Sequence, residues 1–332
     1  MTDFRRISYT AANTIPIKVV HHQTLMAEAA RNCLIPVHAQ FIPTDRCNLN
    51  CAWCSCANDS RRATMLLSNV QKLVNILKIW QCQAVTITGG GEPLMHPQIC
   101  EIFEVWAAAN IEMGLVTNAF LFPHCIKLES VLSLLTWCRI SISDDRPGLR
   151  PGGDLVRAID YAVNLAPFID WAFSYVVTRQ FDLEKFLFSI WYAVEHRFTH
   201  MRAVSDLLDL DAVPDMDSIR NEVRRAGVDD SIVIYQGRKE YERGDRHCRI
   251  SLIKPVISAD GRVFPCCGAQ YAMEPPTLNM PDELCMGTID DLPRIFSEQA
   301  YFNGSACHRC YYKEYNRLLD GLIQTPHHVN FV

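Results

Sequence analysis

Cys47, Cys51 and Cys54 fall in the spacing C-x3-C-x2-C, and Cys56 follows two positions later. Three thiolates on one loop can converge on a single centre, whereas a tetrahedral zinc site built by one motif wants four ligands or a paired second half. Three soft ligands and a vacancy suit a cubane iron–sulfur cluster, whose open iron can bind a small ligand directly. A second set lies far along the chain, where Cys248 and Cys266 flank Gly261 and the pair Cys307 and Cys310 follows as C-x2-C. Four thiolates suit zinc and a fully ligated cluster alike. Between the two sets, TITGGGEPLMHP at 86–97 carries Gly89, Gly90 and Gly91. Without Cβ atoms, backbone amides and carbonyls there can approach a charged ligand closely. The turn has neither G-x-x-x-x-G-K-[ST] nor G-x-G-x-x-G, so it is no phosphate loop.

The totals frame this chemistry. With 332 residues, 49% of them hydrophobic, the chain can bury one large core, with or without a smaller appendage. No run of eighteen apolar residues occurs, and MTDFRRISYTAANTIP lacks a secretory segment, so a cytoplasmic location with no membrane partner is expected. Fifteen cysteines in such a chain point to thiolate–metal chemistry rather than a disulfide framework. The net charge of −5 gives no long-range electrostatic reason to bind nucleic acid.

The elements that must position these residues are legible as an alternation. VHAQFIP, AVTIT, EMGLVT, RISIS and WAFSYVV read as strands, and SNVQKLVNILKIW, QICEIFEVWAAAN, IKLESVLSLL, DLVRAIDYAVNLA and LEKFLFSIWYAVEH as helices. Repeated units of this length predict an α/β fold, a parallel sheet covered by helices in a barrel or part of one. HMRAVSDL opens a sixth unit. An acidic connector follows residue 206, and a boundary is expected near 240. Beyond it, a hairpin turning at Asp260 and Gly261 would bring Cys248 and Cys266 together at its open end. The segment from Cys248 to Cys310 has too little apolar periodicity for a core of its own, and a metal would staple it. The expected divisions are an extension at 1–36, a barrel at 37–240, a cysteine-rich domain at 241–318 and a tail at 319–332.

The cysteine loop after the first strand, with GGGE one helix later, resembles the radical S-adenosylmethionine (SAM) superfamily. That resemblance implies a partial (β/α)6 TIM-like barrel and a [4Fe–4S] cluster on Cys47, Cys51 and Cys54, with SAM on the fourth iron. It implies that Trp53 lies near the adenine and that Gly89, Gly90, Gly91 and Glu92 hold the methionine ammonium. LVTNAF resembles the third-strand TNG motif, with Ala119 in place of glycine, and places Thr117 and Asn118 at the site. RISIS resembles the fourth-strand SxD motif, with Ser141 kept and Ser143 where aspartate is common, leaving the ribose to the Ser143 hydroxyl or to Asp144. YVVT resembles the fifth-strand segment that borders adenine around Val176. The later cysteines resemble a twitch domain, a shortened SPASM domain, implying a second, auxiliary [4Fe–4S] cluster on Cys248, Cys266, Cys307 and Cys310.

The activity so implied is reductive cleavage of SAM to a 5′-deoxyadenosyl radical, which takes a hydrogen atom from a C–H bond. Oxidation or rearrangement of the substrate follows. Peptide-modifying SPASM maturases usually carry an extra amino-terminal domain, and 36 residues precede the first strand here. The expected substrate is therefore a small polar metabolite, a nucleoside or a modified nucleobase, with phage-type thymine hypermodification in DNA as one instance and a peptide as the alternative. Arg179, Arg202 and Asp206, near the ends of strands five and six, are the substrate-side candidates. A flavodoxin or ferredoxin-type reductant would supply the electron. The competing class is a non-catalytic protein with two zinc sites.

Overall fold

The structure is a computed structural model that describes residues 18–29, 34–56, 62–209, 211, 213–237, 242–274, 280–298 and 301–323. After a short helix, α1 (Gln23–Ala29), strand and helix alternate: β1 (His38–Phe41), α2 (Leu67–Ile79), β2 (Ala84–Ile87), α3 (Ile99–Ala108), β3 (Glu112–Thr117) and α4 (Leu128–Leu132). The pattern continues through β4 (Trp137–Ser143), α5 (Asp154–Leu165), β5 (Asp170–Val177), α6 (Leu183–Glu195), β6 (His200–Ser205), α7 (Met216–Arg225) and β7 (Val233–Gln236). The cysteine-rich part adds α8 (Ile250–Ile253), β8 (Val256–Ile257), β9 (Arg262–Phe264), β10 (Gly287–Thr288), α9 (Leu292–Glu298) and α10 (Lys313–Ile323).

All ten strands form one sheet in the order β10-β9-β8-β1-β2-β3-β4-β5-β6-β7. Neighbours from β8 to β7 are parallel, and β9 and β10 attach antiparallel. Among the described residues β7 does not pair with β8, so the sheet curls without closing. This is the expected α/β partial barrel, with a seventh strand after the sixth. The hairpin at Asp260 and Gly261 also forms, with Gly261 at φ 83° and Ser258 N–H bonded to Arg262 O at 2.9 Å. It is not a separate sheet, however, because β8 lies in parallel register beside β1, with Gln40 opposite Val256. Helix α10 runs through residue 318, so the stretch expected to be a tail starts inside a helix.

Period-two patterning fixes what each strand face does. In β4, Cys138, Ile140 and Ile142 are fully buried under the helices, and Arg139, Ser141 and Ser143 take the opposite face, inside the barrel. In β6, Met201 and Ala203 pack outward and Arg202 inward. The helices cover the sheet with Leu73, Leu77, Ile102, Trp106, Ile159 and Phe186, each at 0% exposure. Asp182 and Asp215 start α6 and α7 by accepting backbone N–H groups at 3.1 Å, the side-chain capping that open helix ends favour. Phe173 of β5 meets Phe198 at 4.7 Å and Tyr192 at 5.7 Å between centroids. Phe173→Ala is expected to cost about 3–5 kcal/mol, read as a lower urea midpoint at an unchanged slope.

Candidate functional site

Because β1 to β6 are parallel, the segments leaving their C-terminal ends gather at one rim of the barrel. The cysteine loop leaves β1, the triple-glycine turn leaves β2, and Thr117 and Asn118 end β3. Ser141 and Ser143 lie at the end of β4, Val176 near the end of β5, and Asp206 just past β6. The candidates for holding the first cluster and SAM thus converge on one end.

The cysteine loop is locked to the glycine turn backbone to backbone. Gly91 N–H bonds Thr44 O at 3.0 Å and Glu92 N–H bonds Arg46 O at 2.8 Å. A Cβ on Gly91 would lie 2.1 Å from Arg46 O, and one on Gly90 2.4 Å from Asp45 Oδ1. The close approach that Gly90 and Gly91 permit is by the cysteine loop itself, rather than by a ligand as their sequence suggests.

Each sulfur of the trio has an N–H directed at it. Leu49 N–H reaches Cys47 Sγ at 3.4 Å, Cys56 N–H reaches Cys54 Sγ at 3.4 Å, and Arg146 Nη1 reaches Cys51 Sγ at 3.2 Å. Hydrogen bonds from Cys56 bring the Cys54 thiol down to about 7. Burial raises Cys47 and Cys51, against the backbone N–H on the first and the guanidinium on the second. Such donors favour the thiolate form that ligates metal, so the trio fits a cluster held by three sulfurs. Cys56 is the thiol behind Cys54 and is itself pushed upward, first by that hydrogen bond and then by burial.

Around the trio, Trp53 Nε1 donates to Asp145 Oδ1 at 3.2 Å, Ser143 Oγ donates to the same oxygen, and the Arg146 guanidinium lies 5.4 Å over the Trp53 ring. Asp144 is turned away. Its carboxylate accepts from Tyr175 OH at 2.6 Å, Thr178 N–H and Asp182 N–H at 3.1 Å, and Thr178 Oγ1 at 3.2 Å. Asp144 therefore braces β5, and Asp145 is the carboxylate at the rim. Sequence reasoning missed Asp145 and Arg146, although DDR directly after the fourth strand was a visible signal. Asn118 Nδ2 bonds Asn48 Oδ1 at 2.8 Å, fastening the third strand end to the cysteine loop. Ala119, where the family pattern has glycine, sits at φ 67°, the left-handed region that explains that preference.

Glu92 is 3% exposed, and its carboxylate accepts from Thr117 Oγ1 and Asn118 N–H at 2.7 Å and from Leu94 N–H at 3.1 Å. It ties the second strand end to the third. Burial raises its carboxyl above the ordinary range, against the hydrogen bonds it accepts. The folded chain therefore holds this proton more tightly than the unfolded chain, and stability falls as pH rises from the unfolded value through the folded one. Glu92→Gln is expected to remove that dependence and to cost about 1–3 kcal/mol, since an amide turns a donor toward donors. Urea unfolding across the acid range reads both.

Of the substrate-side candidates, Arg179 is exposed and paired with Asp209. Asp206 is 7% exposed, accepts Leu208 N–H at 2.9 Å, and is raised chiefly by burial. Arg202 points into the barrel and gives Nε to Gln236 Oε1 at 2.9 Å. The structure keeps Arg179 near Asp206, where its charge opposes that rise, and sets Arg202 apart in the lumen.

Cys248, Cys266, Cys307 and Cys310 line one cavity. Cys248 is tied to Phe302 by a reciprocal pair of backbone bonds, and Cys310 and Cys307 are tied to Glu242 and Gly244. Burial raises all four thiols, Cys248 to about 11 and Cys307 to about 12. Nδ2 of Asn316, buried on the Cys248 side of this cavity, makes no well-formed hydrogen bond but lies close enough to the Cys248 thiol to oppose its rise. Four converging thiols and this donor fit a group that brings positive charge and sulfur acceptors. Among the described residues no three His, Cys, Asp or Glu side chains are grouped so as to hold a single metal ion. Cys267 adjoins the cavity and meets Tyr312 OH at 3.2 Å, whereas Cys285 bonds Gly287 O elsewhere.

Residues 41–136 match the family described as the radical SAM superfamily. A comparison with curated proteins finds no match. Among solved structures, SuiB of Streptococcus suis bound to S-adenosylmethionine aligns at TM-score 0.58 and 16% identity, over 86% of this chain and 72% of that one. SuiB bound to its precursor peptide SuiA aligns at 0.56 and 15%, over 94% and 70%. anSMEcpe with bound AdoMet and the Cp18Cys peptide aligns at 0.53 and 14%, over 90% and 86%. At these identities the likeness is one of fold. No helix among the described residues is long and apolar enough to cross a membrane.

Proposed function

The chain belongs to the radical SAM superfamily through residues 41–136, and from that premise we propose that it reductively cleaves SAM to functionalise a small polar metabolite, nucleoside or modified nucleobase. The observation that carries this reading is the sulfur trio, three thiols each met by an N–H donor on a loop bonded to the triple-glycine turn. Cys47, Cys51 and Cys54 would hold a [4Fe–4S] cluster, which with bound SAM supplies one-electron cleavage of the sulfonium to methionine and a 5′-deoxyadenosyl radical.

The chain's own residues then have separable tasks. Arg146 neutralises Cys51 and stacks on Trp53, fixing the ring beside the loop. Asp145 gathers Trp53 and Ser143 into one polar edge facing the rim, the place this reading gives to the ribose. Glu92 and Asn118 fix the spacing of the second and third strand ends and leave the backbone of Gly89 to Gly91 facing the ammonium. Barrel walls would screen the reacting carbon from water. Cys248, Cys266, Cys307 and Cys310 would hold an auxiliary [4Fe–4S] cluster. Such a cluster would supply an electron acceptor, which would make the net reaction an oxidation; without one the substrate radical would rearrange. A flavodoxin or ferredoxin-type protein is the proposed electron donor.

Anaerobic incubation with SAM and dithionite tests the reading. Release of 5′-deoxyadenosine is expected, and none over the protein-free background contradicts it. Coupled turnover separates the substrate classes, since nucleosides or small metabolites should accelerate release and peptides should not.

A further inference from the structure

We propose that the barrel lumen binds an oxyanion, a carboxylate or phosphate carried by the substrate, between Arg139, Arg202 and Lys254. The inference rests on the reading of the barrel as the substrate chamber and deepens it. Arg139 and Arg202 take the inward face of β4 and β6, and Lys254 stands just ahead of β8, where Val37 N–H bonds Ile253 O and Gln40 N–H bonds Pro255 O at 2.9 Å. All three are partly exposed although ringed by strands.

Around Arg139 and Lys254 the acidic groups are thiols rather than carboxylates. Burial pulls the Lys254 ammonium down; the thiols of Cys267 and Cys266 oppose this, while the Arg139 and Arg202 guanidiniums pull it further. Burial lowers Arg139 to about 10. Arg139 Nε is buried without a hydrogen-bond partner, and its guanidinium lies 5.3 Å over the Trp137 ring. Among the described residues no carboxylate is within ion-pair distance of Arg139 or Lys254. Desolvated cations that repel one another are costly unless an anion joins them, and a guanidinium's planar fork matches carboxylate and phosphate oxygens.

The walls suit such a guest. Ser141 and Ser174 stand opposite each other in register, and Ser174 stands opposite Arg202, so short hydroxyl side chains line the space between the cations. Trp137 forms the floor, where a Cβ on Gly114 would lie 2.0 Å from its ring. Along β4, Arg139 and Ser143 are four residues apart, about 13 Å at strand rise. An anion held at the floor would thus present the rest of a metabolite-sized molecule to the rim.

The test is calorimetric titration of the anaerobically reconstituted protein with sodium phosphate and with sodium acetate, against chloride at equal ionic strength, without SAM or reductant. One of the two anions is expected to bind, with Arg139→Met and Lys254→Met each weakening it at least about tenfold and Arg139→Lys weakening it less. Preference for phosphate identifies a phosphate ester as substrate, and preference for acetate a carboxylate. Without anion, both Met variants should melt at or above the wild-type temperature, since each removes an unpaired cation; this also shows that they fold. No binding over chloride, or binding that neither substitution weakens, overturns the proposal. So does a fall in the midpoint potential of the cysteine-bound metal at Cys266 with anion affinity unchanged, which would assign the cations to that metal. Because SAM is absent, failure here leaves the cleavage reading standing, and intact anion binding without SAM cleavage sinks only the latter.

Discussion

Cys51→Ala should reduce 5′-deoxyadenosine release to background, a loss of at least about 10³-fold, or about 4 kcal/mol of barrier. Two remaining sulfurs cannot present a cubane with one free corner. The substitution also strips the Arg146 guanidinium, 4% exposed and with Nε already unpaired, of its acceptor at 3.2 Å. A lost acceptor costs about 1–3 kcal/mol of stability, so the variant should unfold earlier as well as lose activity. Cys51→Ser separates the two effects: it keeps an acceptor for Arg146 and should recover the unfolding midpoint without recovering cleavage. Deoxyadenosine release is read by chromatography and stability by urea unfolding of the same preparations. Full cleavage in Cys51→Ala would remove this cysteine from the site.

Gly91→Ala is the second large effect. Its Cβ would lie 2.1 Å from Arg46 O, 2.4 Å from Arg46 C and 2.6 Å from Asp45 C, all backbone atoms of the cysteine loop. Backbone cannot rotate out of the way, so the two loops must part and break the bonds at 2.8 and 3.0 Å that join them. A displacement of about 1 Å at a reacting centre costs about 10²-fold, and cleavage is expected to fall by at least that. Gly90→Ala is the comparison, because its Cβ would meet the Asp45 carboxylate, the far end of a side chain that can swing. It should be several-fold milder. Equal activity in Gly91→Ala and wild type would show that the loops are not coupled through this turn.

The parts that sequence revealed were those governed by local spacing. C-x3-C-x2-C and GGGE mark loops because metal ligation and tight backbone approach each demand particular residues at fixed offsets. RISIS announces its strand through alternation, and Asp260-Gly261 its hairpin through turn chemistry. What sequence hid depends on contacts across the fold. Which of Asp144 and Asp145 faces the rim is decided by Tyr175 and Thr178, thirty and more residues away, which claim the first. The place of the hairpin beside β1 follows from how the sheet curls, and no property of Val256 or Ile257 foretells it. The glycines were legible as a place of close approach, but not that Arg46 and Asp45 are what approaches. Lys254 looks like any lysine after an apolar run until β4 and β6 bring two arginines toward it.

The central claim, two iron–sulfur centres of which one uses only three cysteines, is tested most directly by iron analysis with electron paramagnetic resonance on the anaerobically reconstituted, dithionite-reduced chain. About eight irons are expected, four per cubane, falling to about four in the joint Cys47, Cys51 and Cys54→Ala variant. SAM should perturb the wild-type signal and leave that of the variant unchanged. Iron-free protein under strict oxygen exclusion, or a signal that SAM alters equally in the variant, contradicts the account.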